Sequence, residues 1–429
     1  MAQQKRNWVA IITMFALFAM VGFVTNLAAP FGNIWGFKYE SAGMLGNLMN
    51  FTAYLFMGIP AGNMLTSVGY KKTALIGMCV GVVGLGIQYL SSLVGADVIV
   101  TGDYALNLFI YLLGALVCGF SVCMLNTVVN PMLNLLGGGG KVGNQLLQLG
   151  GSCNSLAGTA APLLAGALIG TVTADTAMSD VTPLLWIGIG IFVFAIVVIA
   201  SLKIEEPQAS TDKVTFEHSP IAFRHCLLGV IAIFFYVGVE VGIPAQMNFY
   251  VSGMSFAGAA AVGGALASLY WLLMLVGRLA SGSMLGNVSS KTQLTVASSV
   301  AICFLLIAVF LPENVTFSIP AIDIVIFSIP ACTVPMKCLF IFLCGLCTSI
   351  MWGGIFNLAT EGLGKYTAKA SGLFMAMVVG GGIMPYLQDL IGVNVGRIAS
   401  YWLSIAMLAY ILFYAVIGSK NVNKDIKVD

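Results

Sequence analysis

The stretch KIEEPQASTDKVTFEHSPIAFRH, Lys203–His225, separates two long apolar parts of the chain. Acidic and basic side chains follow each other closely in it, so it cannot cross a membrane. A membrane-spanning helix needs about 20 mostly apolar residues. Counted outward from this linker, six stretches of that kind precede it and six follow it. We number these spans one to twelve: Trp8–Pro30, Ala42–Val68, Thr73–Leu93, Ala105–Pro131, Leu146–Thr171, Pro183–Leu202, Cys226–Val251, Ala260–Leu285, Thr292–Leu311, Lys337–Thr360, Ser371–Ile391 and Ala399–Ile417.

The composition agrees with a protein whose surface faces lipid. Apolar residues make up 59% of the 429 residues and charged residues only 8%, with a mean hydropathy of +0.99. In soluble domains, roughly a quarter of all residues are charged. The net charge of +2 provides no basic stripe for nucleic acid. The sequence therefore predicts an all-α membrane protein with twelve transmembrane helices in two six-helix bundles, residues 1–202 and 226–429, joined by a cytoplasmic linker at 203–225.

The positive charges give an orientation. With both termini in the cytoplasm, 15 of the 18 Lys and Arg residues fall on the cytoplasmic side, and Arg278 is assigned there. Only Lys38, Lys337 and Arg397 fall on the other side. This is the bias expected of cytoplasmic loops. We expect a multi-pass protein of a bacterial inner membrane, functioning as a monomer, with an uncleaved first span.

One connection differs from the others. The segment Pro312–Pro335 between spans nine and ten is rich in β-branched residues but contains four prolines, which are incompatible with a spanning helix. We expect an extended flap outside the membrane.

The residue types argue against an enzyme. The only histidines, His218 and His225, lie in the linker, and neither metal-ligand spacing nor a nucleophile–base pair is visible. We therefore expect no catalytic residues, no metal and no cofactor.

One acidic residue distinguishes span seven. By this assignment Glu240 is the only carboxylate deep within the membrane, where charge is costly and usually functional. Tyr236, Glu240, Pro244 and Asn248 share one stripe of the helix because they are four residues apart. Such a carboxylate could hold a proton, coordinate a cation or accept hydrogen bonds from hydroxyl groups. The alternative is a structural glutamate at an unwound stretch of helix.

Polar amides and aromatic rings recur inside the spans. Amides offer a donor and an acceptor together, which suits vicinal hydroxyls, and rings can stack on apolar C–H faces. Each residue taken alone could equally serve helix packing. The amides are Asn26, Asn126, Asn130, Gln148, Asn154, Gln246, Asn248 and Asn357, and the mid-span aromatics are Tyr54, Tyr236, Trp271 and Trp352.

Five segments of the chain are characteristic: FFYVGVEVGI (Phe234–Ile243), LYWLLMLVGR (Leu269–Arg278), SIMWGGIFNLATEGLGKYTAKASG (Ser349–Gly372), VVGGGIMP (Val378–Pro385) and NSLAGT (Asn154–Thr159). They resemble the fucose–galactose–glucose:proton symporter family of the major facilitator superfamily. Gly62–Lys72, GNMLTSVGYKK, also looks like a degenerate form of the superfamily's loop motif after span two, with Thr66 where an acidic residue is usual. The resemblance covers nearly the whole chain.

The resemblance implies the major facilitator fold, a central cavity between its halves, and import of a hexose or related sugar by alternating access. It also exposes departures. The fucose branch is expected to carry an aspartate and a glutamate where this chain has Asn26 and Asn126, and a glutamine where it has Gly151. Glu240 resembles the glucose/galactose-like branch instead. The fucose mechanism therefore does not transfer, and fucose is not the expected cargo.

The sequence hypothesis is an importer of a monosaccharide, coupled to a proton or sodium ion through Glu240. A facilitative uniporter stays open if Glu240 only binds sugar or holds helices. An exporter of small organic molecules is disfavoured by the many amides. The expected substrate-binding set is Asn26, Asn126, Asn130, Gln148, Asn154, Tyr236, Glu240, Gln246, Asn248, Trp271, Trp352 and Asn357.

Overall fold

The computed structural model describes residues 7–39, 42–95, 98–137, 140–169, 172–173, 175–202, 218–284, 288–324, 327–329, 331–423 and 426. Its long helices match the twelve predicted spans. Spans one to six are Trp8–Asn26 with Ala28–Lys38, Leu45–Ser67, Tyr70–Leu93, Leu106–Leu136, Gly140–Ile169 and Thr182–Ser201. Spans seven to twelve are Arg224–Ser252, Ala259–Met284, Ser290–Phe310, Lys337–Thr348 with Met351–Thr360, Thr367–Met377 with Gly380–Asn394, and Tyr401–Phe413 with a π-helical turn at Tyr414–Gly418.

Ten of these spans are long and apolar enough, by length and composition, to cross a membrane. Spans two and five are long enough, at 23 and 30 residues, but carry several amides. In span two, Asn47 and Asn50 are buried within the protein. Part of the surface of spans two and five therefore faces protein or a cavity and not lipid, and this part can accommodate the amides.

Helical geometry is interrupted in spans one, ten and eleven. The break in span eleven falls between Met377 and Gly380, just before a run of three glycines. The third of these, Gly382, lies against span two, where a Cβ would come within 3.0 Å of the Leu48 carbonyl oxygen. Because glycine has no side chain, the two helix backbones can approach this closely. Such close contacts stabilise helix packing inside membranes.

The spans form two halves with the same internal neighbours. In the N-terminal half, span one contacts five, two contacts four, and three contacts four and six. In the C-terminal half, seven contacts eleven, eight contacts ten, and nine contacts ten and twelve. Adding six to each number of the first set gives the second, which is the pattern of an internal repeat. Contacts between the halves follow two seams, span five against eight and span two against eleven.

Alternating span directions define two faces. We call the face with the start of span one and the end of span six the linker face, and the opposite one the loop face. At the linker face, the Lys71 ammonium donates hydrogen bonds to the carbonyls of Ala200 (3.0 Å) and Leu202 (2.6 Å). Residues 203–217 of the linker lie outside the described residues, so the domain boundaries remain a prediction.

The segment between spans nine and ten is extended, as predicted. The connection between spans three and four, on the same face, also contains a strand pair: β1, Ile99–Thr101, pairs with β2, Tyr104–Ala105. The segment between spans nine and ten contains four strands: β3 (Thr316–Ile319), β4 (Ile322–Ile324), β5 (Phe327–Ile329) and β6 (Cys332–Pro335). They form a long antiparallel hairpin, in which β3 pairs with β6 and β4 with β5. Strand β5 contacts spans five and eight, so the hairpin reaches the seam between the halves.

Candidate functional site

A cavity lies between the two halves. Its volume is about 1260 Å³, including the part continuous with solvent. Both halves supply its wall, mainly spans one, two, four and five on one side and seven, eight, ten and eleven on the other. Ten of the twelve residues predicted from the sequence line it: Asn26, Asn126, Asn130, Gln148, Asn154, Tyr236, Glu240, Trp271, Trp352 and Asn357.

The lining comes from the middle of the spans and from their linker-face parts. Asn130 and Asn357 are within two turns of the linker-face ends of spans four and ten. Toward the loop face the halves are in contact. The Asn47 side-chain amide donates a buried hydrogen bond to the Gly381 carbonyl across the span two–eleven seam, at 2.7 Å. The cavity therefore reaches toward the linker face and is closed toward the loop face.

An ion pair lies in the cavity wall. Arg278 Nη2 on span eight is 3.0 Å from Glu240 Oε1 on span seven, and the two side chains are only 11% and 14% exposed. Glu240 and Arg278 are the only charged side chains among the lining residues. The hydroxyl of Tyr236, one turn earlier on span seven, is buried beside this pair and close to both of its members. The cavity wall thus contains one carboxylate–guanidinium pair with a buried hydroxyl beside it.

Arg278 corrects an expectation from the sequence. It was assigned to the cytoplasmic side because it lies near the end of span eight. The structure instead places it within the helix, with its guanidinium directed into the cavity wall. Its counterion explains the difference, because a buried arginine is tolerated where a carboxylate pairs with it. Sequence position alone gave no signal that the long side chain points inward.

The lining amides differ in how far they are already satisfied. Asn126 donates to the Tyr54 hydroxyl at 2.7 Å, and Asn154 donates to the Phe18 carbonyl at 3.3 Å. Asn26 and Asn130 donate to carbonyls one turn back in their own helices. The side chains of Gln148 and Asn357 make no hydrogen bond within the described residues. They retain both a donor and an acceptor for a ligand.

Aromatic rings form part of the same wall. Tyr236 and Trp352 lie 6.1 Å apart between ring centroids, at an angle of 56°. Trp271 meets Tyr270 edge to face at 5.7 Å. Polar and aromatic groups thus converge from both halves on one open space, which is the usual composition of a small-molecule site.

Residues 9–385 match the model of the Major Facilitator Superfamily. The chain belongs to this superfamily of membrane transporters. A glucose/galactose transporter of Brucella abortus is 28% identical, over 98% of this chain and 96% of that protein. Its name agrees with the family resemblance identified in the sequence.

Solved structures of this superfamily share the fold. A variant of the Escherichia coli fucose:proton symporter FucP superposes with a TM-score of 0.70 at 18% identity, over 97% of this chain and 100% of that one. FucP in an outward conformation gives 0.69 at 18% identity, over 96% and 99%. The twelve-helix major facilitator fold predicted from the sequence is thereby confirmed.

Two predicted residues lie outside the cavity of this transporter. Gln246 is fully buried and bonds to Asp389 and Arg397, at 3.4 Å and 3.0 Å. Asn248 accepts a hydrogen bond from Ser252 at 3.0 Å. Asn248 does share a helical stripe with Glu240, but eight residues separate them, about 12 Å along the axis. Asn248 therefore lies on the stripe of Glu240 but outside the cavity.

Asp389 is a second buried carboxylate, which the sequence analysis did not single out. It lies in span eleven, near the end of the helix at Asn394, and is 1% exposed. It pairs with Arg397, which follows the end of that span. Among the described residues, two carboxylate–arginine pairs therefore lie within the C-terminal half, and only one of them borders the cavity.

Proposed function

We propose that this transporter imports a monosaccharide, a hexose or related sugar, by proton symport across a bacterial inner membrane. The linker face is then cytoplasmic, and the cavity is open to the cytoplasm. The observation that carries the proposal is the Glu240–Arg278 pair within a cavity lined by amides and aromatic rings from both halves. The names of the glucose/galactose and fucose transporters similar to this chain support it.

The lining suits a ligand with many hydroxyl groups. Gln148 on the N-terminal half and Asn357 on the C-terminal half face the cavity with free donors and acceptors. Neighbouring sugar hydroxyls both donate and accept, so a single amide can bond two of them. Trp352, beside Tyr236, provides an aromatic face for the apolar side of the ring. A sugar bound by both halves would be carried across as they rock around it.

Glu240 is the residue we assign to the proton. Uphill transport requires a group that binds and releases the ion during each cycle. Of the two charged residues that line the cavity, the Glu240 carboxylate can bind and release a proton. The Arg278 guanidinium cannot, because arginine stays protonated in proteins. Protonation would neutralise Glu240 and weaken its bond to Arg278. The proton would be taken up from the loop face and released to the linker face.

A facilitative uniporter is the main alternative. It would follow if the pair remains ionised throughout the cycle and serves only to bind sugar or to hold spans seven and eight together. An exporter of lipophilic compounds fits less well, since amides recur around the cavity wall.

Uptake by purified protein in proteoliposomes tests the proposal. Radiolabelled glucose, galactose and fucose would be offered with an inward proton gradient, with a sodium gradient, and with neither. Under a gradient of one pH unit, one proton per sugar drives about tenfold accumulation. Accumulation of glucose or galactose under the proton gradient alone would support the proposal.

The other outcomes are informative. Accumulation driven by sodium would change the coupling ion. Equilibration without accumulation, together with exchange of labelled for unlabelled sugar, would make the protein a uniporter. Absence of both flux and exchange for every sugar would overturn the assigned cargo while leaving the fold intact.

A further inference from the structure

Arg278 contacts both halves of the molecule. Its Nη2 bonds to Glu240 in its own half at 3.0 Å. Its Nη1 crosses the span five–eight seam and donates to the Gly151 carbonyl at 2.7 Å and to the Ser155 hydroxyl at 3.1 Å. One guanidinium therefore joins the carboxylate to span five of the opposite half.

The local sequence of span five makes this reach possible. A Cβ at position 151 would lie 3.2 Å from Arg278 Nη1, so a larger side chain at Gly151 would occupy the space that the guanidinium fills. Ser155 follows four residues later and is therefore on the same face of the helix. Together they form a receptor for the planar, forked guanidinium, which presents several donors in fixed directions.

The surroundings of Glu240 leave Arg278 as its main partner. Charged or titratable groups near it are Arg278 and Tyr270 on span eight and Tyr236 on its own span. When Glu240 is ionised the pair is neutral overall. When Glu240 is protonated, Arg278 keeps its charge and has only the neutral acceptors of span five. Proton binding and the position of Arg278 therefore influence each other.

We propose that Arg278 is a positioning residue that couples the protonation of Glu240 to the arrangement of the two halves. The inference rests on the proposed proton symport. It identifies the contacts through which protonation of Glu240 is linked to the movement of the two halves. In the present arrangement span five holds the guanidinium on Glu240, which stabilises the ionised carboxylate and releases the proton toward the linker face. When the halves rock, span five moves relative to span eight and the guanidinium loses two acceptors. Glu240 then loses a fixed counterion and takes up a proton from the loop face.

Three variants test the link without removing Glu240. Ser155→Ala deletes one contact to span five. Arg278→Lys keeps the charge but loses the forked geometry, so one ammonium cannot bond both Glu240 and span five in the same way. Ser152→Ala is the matched control, because the Ser152 hydroxyl donates to the Gln148 backbone carbonyl of its own helix, at 2.9 Å, and makes no bond to span eight within the described residues.

Two measurements separate coupling from folding and sugar binding. Counterflow exchange at equal pH requires sugar binding and rocking but no net proton movement, whereas accumulation under a gradient of one pH unit requires coupling. We expect accumulation to fall from near tenfold to below about threefold in Arg278→Lys and, to a lesser extent, in Ser155→Ala. Counterflow should persist, with its pH profile displaced, and Ser152→Ala should behave as the unmodified protein.

The opposite results are equally clear. If Arg278→Lys and Ser155→Ala accumulate sugar like the unmodified protein, the proposed link is wrong. If both lose counterflow and accumulation in equal proportion, with an unchanged pH profile, Arg278 has only a structural role. Failure of the unmodified protein to accumulate sugar while it still exchanges it would instead refute proton symport itself, and the link would fall with it.

Discussion

The two carboxylate–arginine pairs of the C-terminal half have the same chemistry but different neighbours. Asp389 and Arg397 bond to each other and to Gln246, and the Arg397 guanidinium lies 5.0 Å from the centre of the Phe249 ring. Every one of these partners belongs to the C-terminal half. Glu240 and Arg278 border the cavity, and Arg278 also bonds to span five of the N-terminal half.

This difference indicates which pair can take part in transport. In a rocking mechanism each half moves largely as a body, so contacts inside one half persist through the cycle. The Asp389 pair can then act as a fixed structural cross-link. The Glu240 pair changes its surroundings in every cycle because its arginine also touches the other half. The carboxylate is buried in both pairs, at 14% exposure for Glu240 and 2% for Asp389, so contact across the seam, and not burial of the acid, separates coupling from structure.

Glu240→Gln should have the largest effect on transport. Glutamine keeps the size and the acceptor of the side chain but cannot bind and release a proton. Under a gradient of one pH unit, accumulation should fall from about tenfold to the equilibrium value, while counterflow continues. Uptake in proteoliposomes measures both. Undiminished accumulation would show that another group carries the proton. The conclusion that the Glu240 pair, and not the Asp389 pair, couples transport would then be wrong.

Asp389→Asn should instead reduce stability. Breaking a buried ion pair by removing one partner typically costs about 3–5 kcal/mol. We expect the lower end, about 3 kcal/mol, because the Arg397 side chain is 26% exposed and can reach water. Thermal unfolding of the detergent-solubilised protein should therefore shift to lower temperature. The protein that remains folded should still accumulate sugar with the same ratio, and uncoupling by this variant would contradict the proposed division of roles.

The positions of the spans could be predicted from the sequence because lipid imposes a simple rule of length and apolarity. Spans seven and nine, for example, begin and end within two residues of the predicted bounds. Interruptions were not predicted. In span eleven the helix is broken between Met377 and Gly380, although the apolar pattern of the sequence continues through these residues.

Most residues that the sequence proposes for the site line one cavity, but the extent of the cavity along the helices and the pairing of its charges could not be predicted. Helical spacing places Glu240, Tyr236 and Asn248 on one stripe, yet it does not show how far along the helix the cavity extends. It also gives no direction for a long side chain. Arg278 near a span end could reach the surface or the interior, and the decision depends on Glu240 and on the space left by Gly151.

Asn357→Ala tests the contribution of a single cavity-lining amide to sugar binding, in contrast to the charged pairs. Asn357 lines the cavity without a hydrogen bond among the described residues, so its truncation should weaken sugar binding and leave the fold intact. Losing one hydrogen bond costs about 1 kcal/mol, or about a fivefold rise in KM. Asn394→Ala is the matched control, since Asn394 is exposed at the loop-face end of span eleven. An equal rise in KM in both variants would remove Asn357 from the site.

The smallest effect is expected from a third ion pair, which anchors the hairpin at the loop face. Lys337 Nζ bonds to Glu313 Oε1 at 2.6 Å, and the Tyr250 hydroxyl also donates to this carboxylate. Partial burial raises the pKa of Glu313, but the hydrogen bonds from Lys337 and Tyr250 outweigh it, so the pKa lies below its usual value. A lowered pKa stabilises the folded state above the ordinary glutamate pKa, and this contribution disappears as the pH falls through the lowered value.

Glu313→Gln should therefore lose only about 1 kcal/mol at neutral pH, because the Glu313 side chain is 62% exposed and water screens its charge. The Lys337 side chain is only 4% exposed, but the glutamine oxygen can still accept its hydrogen bond. Thermal unfolding of the variant and of the unmodified protein should converge as the pH is lowered, since both then lack the charge. Accumulation should stay unchanged, because Glu313, Lys337 and Tyr250 all belong to the C-terminal half and make none of their bonds across the seam. A loss of coupling in this variant would mean that the hairpin, through the contact of β5 with span five, takes part in the movement of the halves, and that a pair confined to one half can influence transport after all.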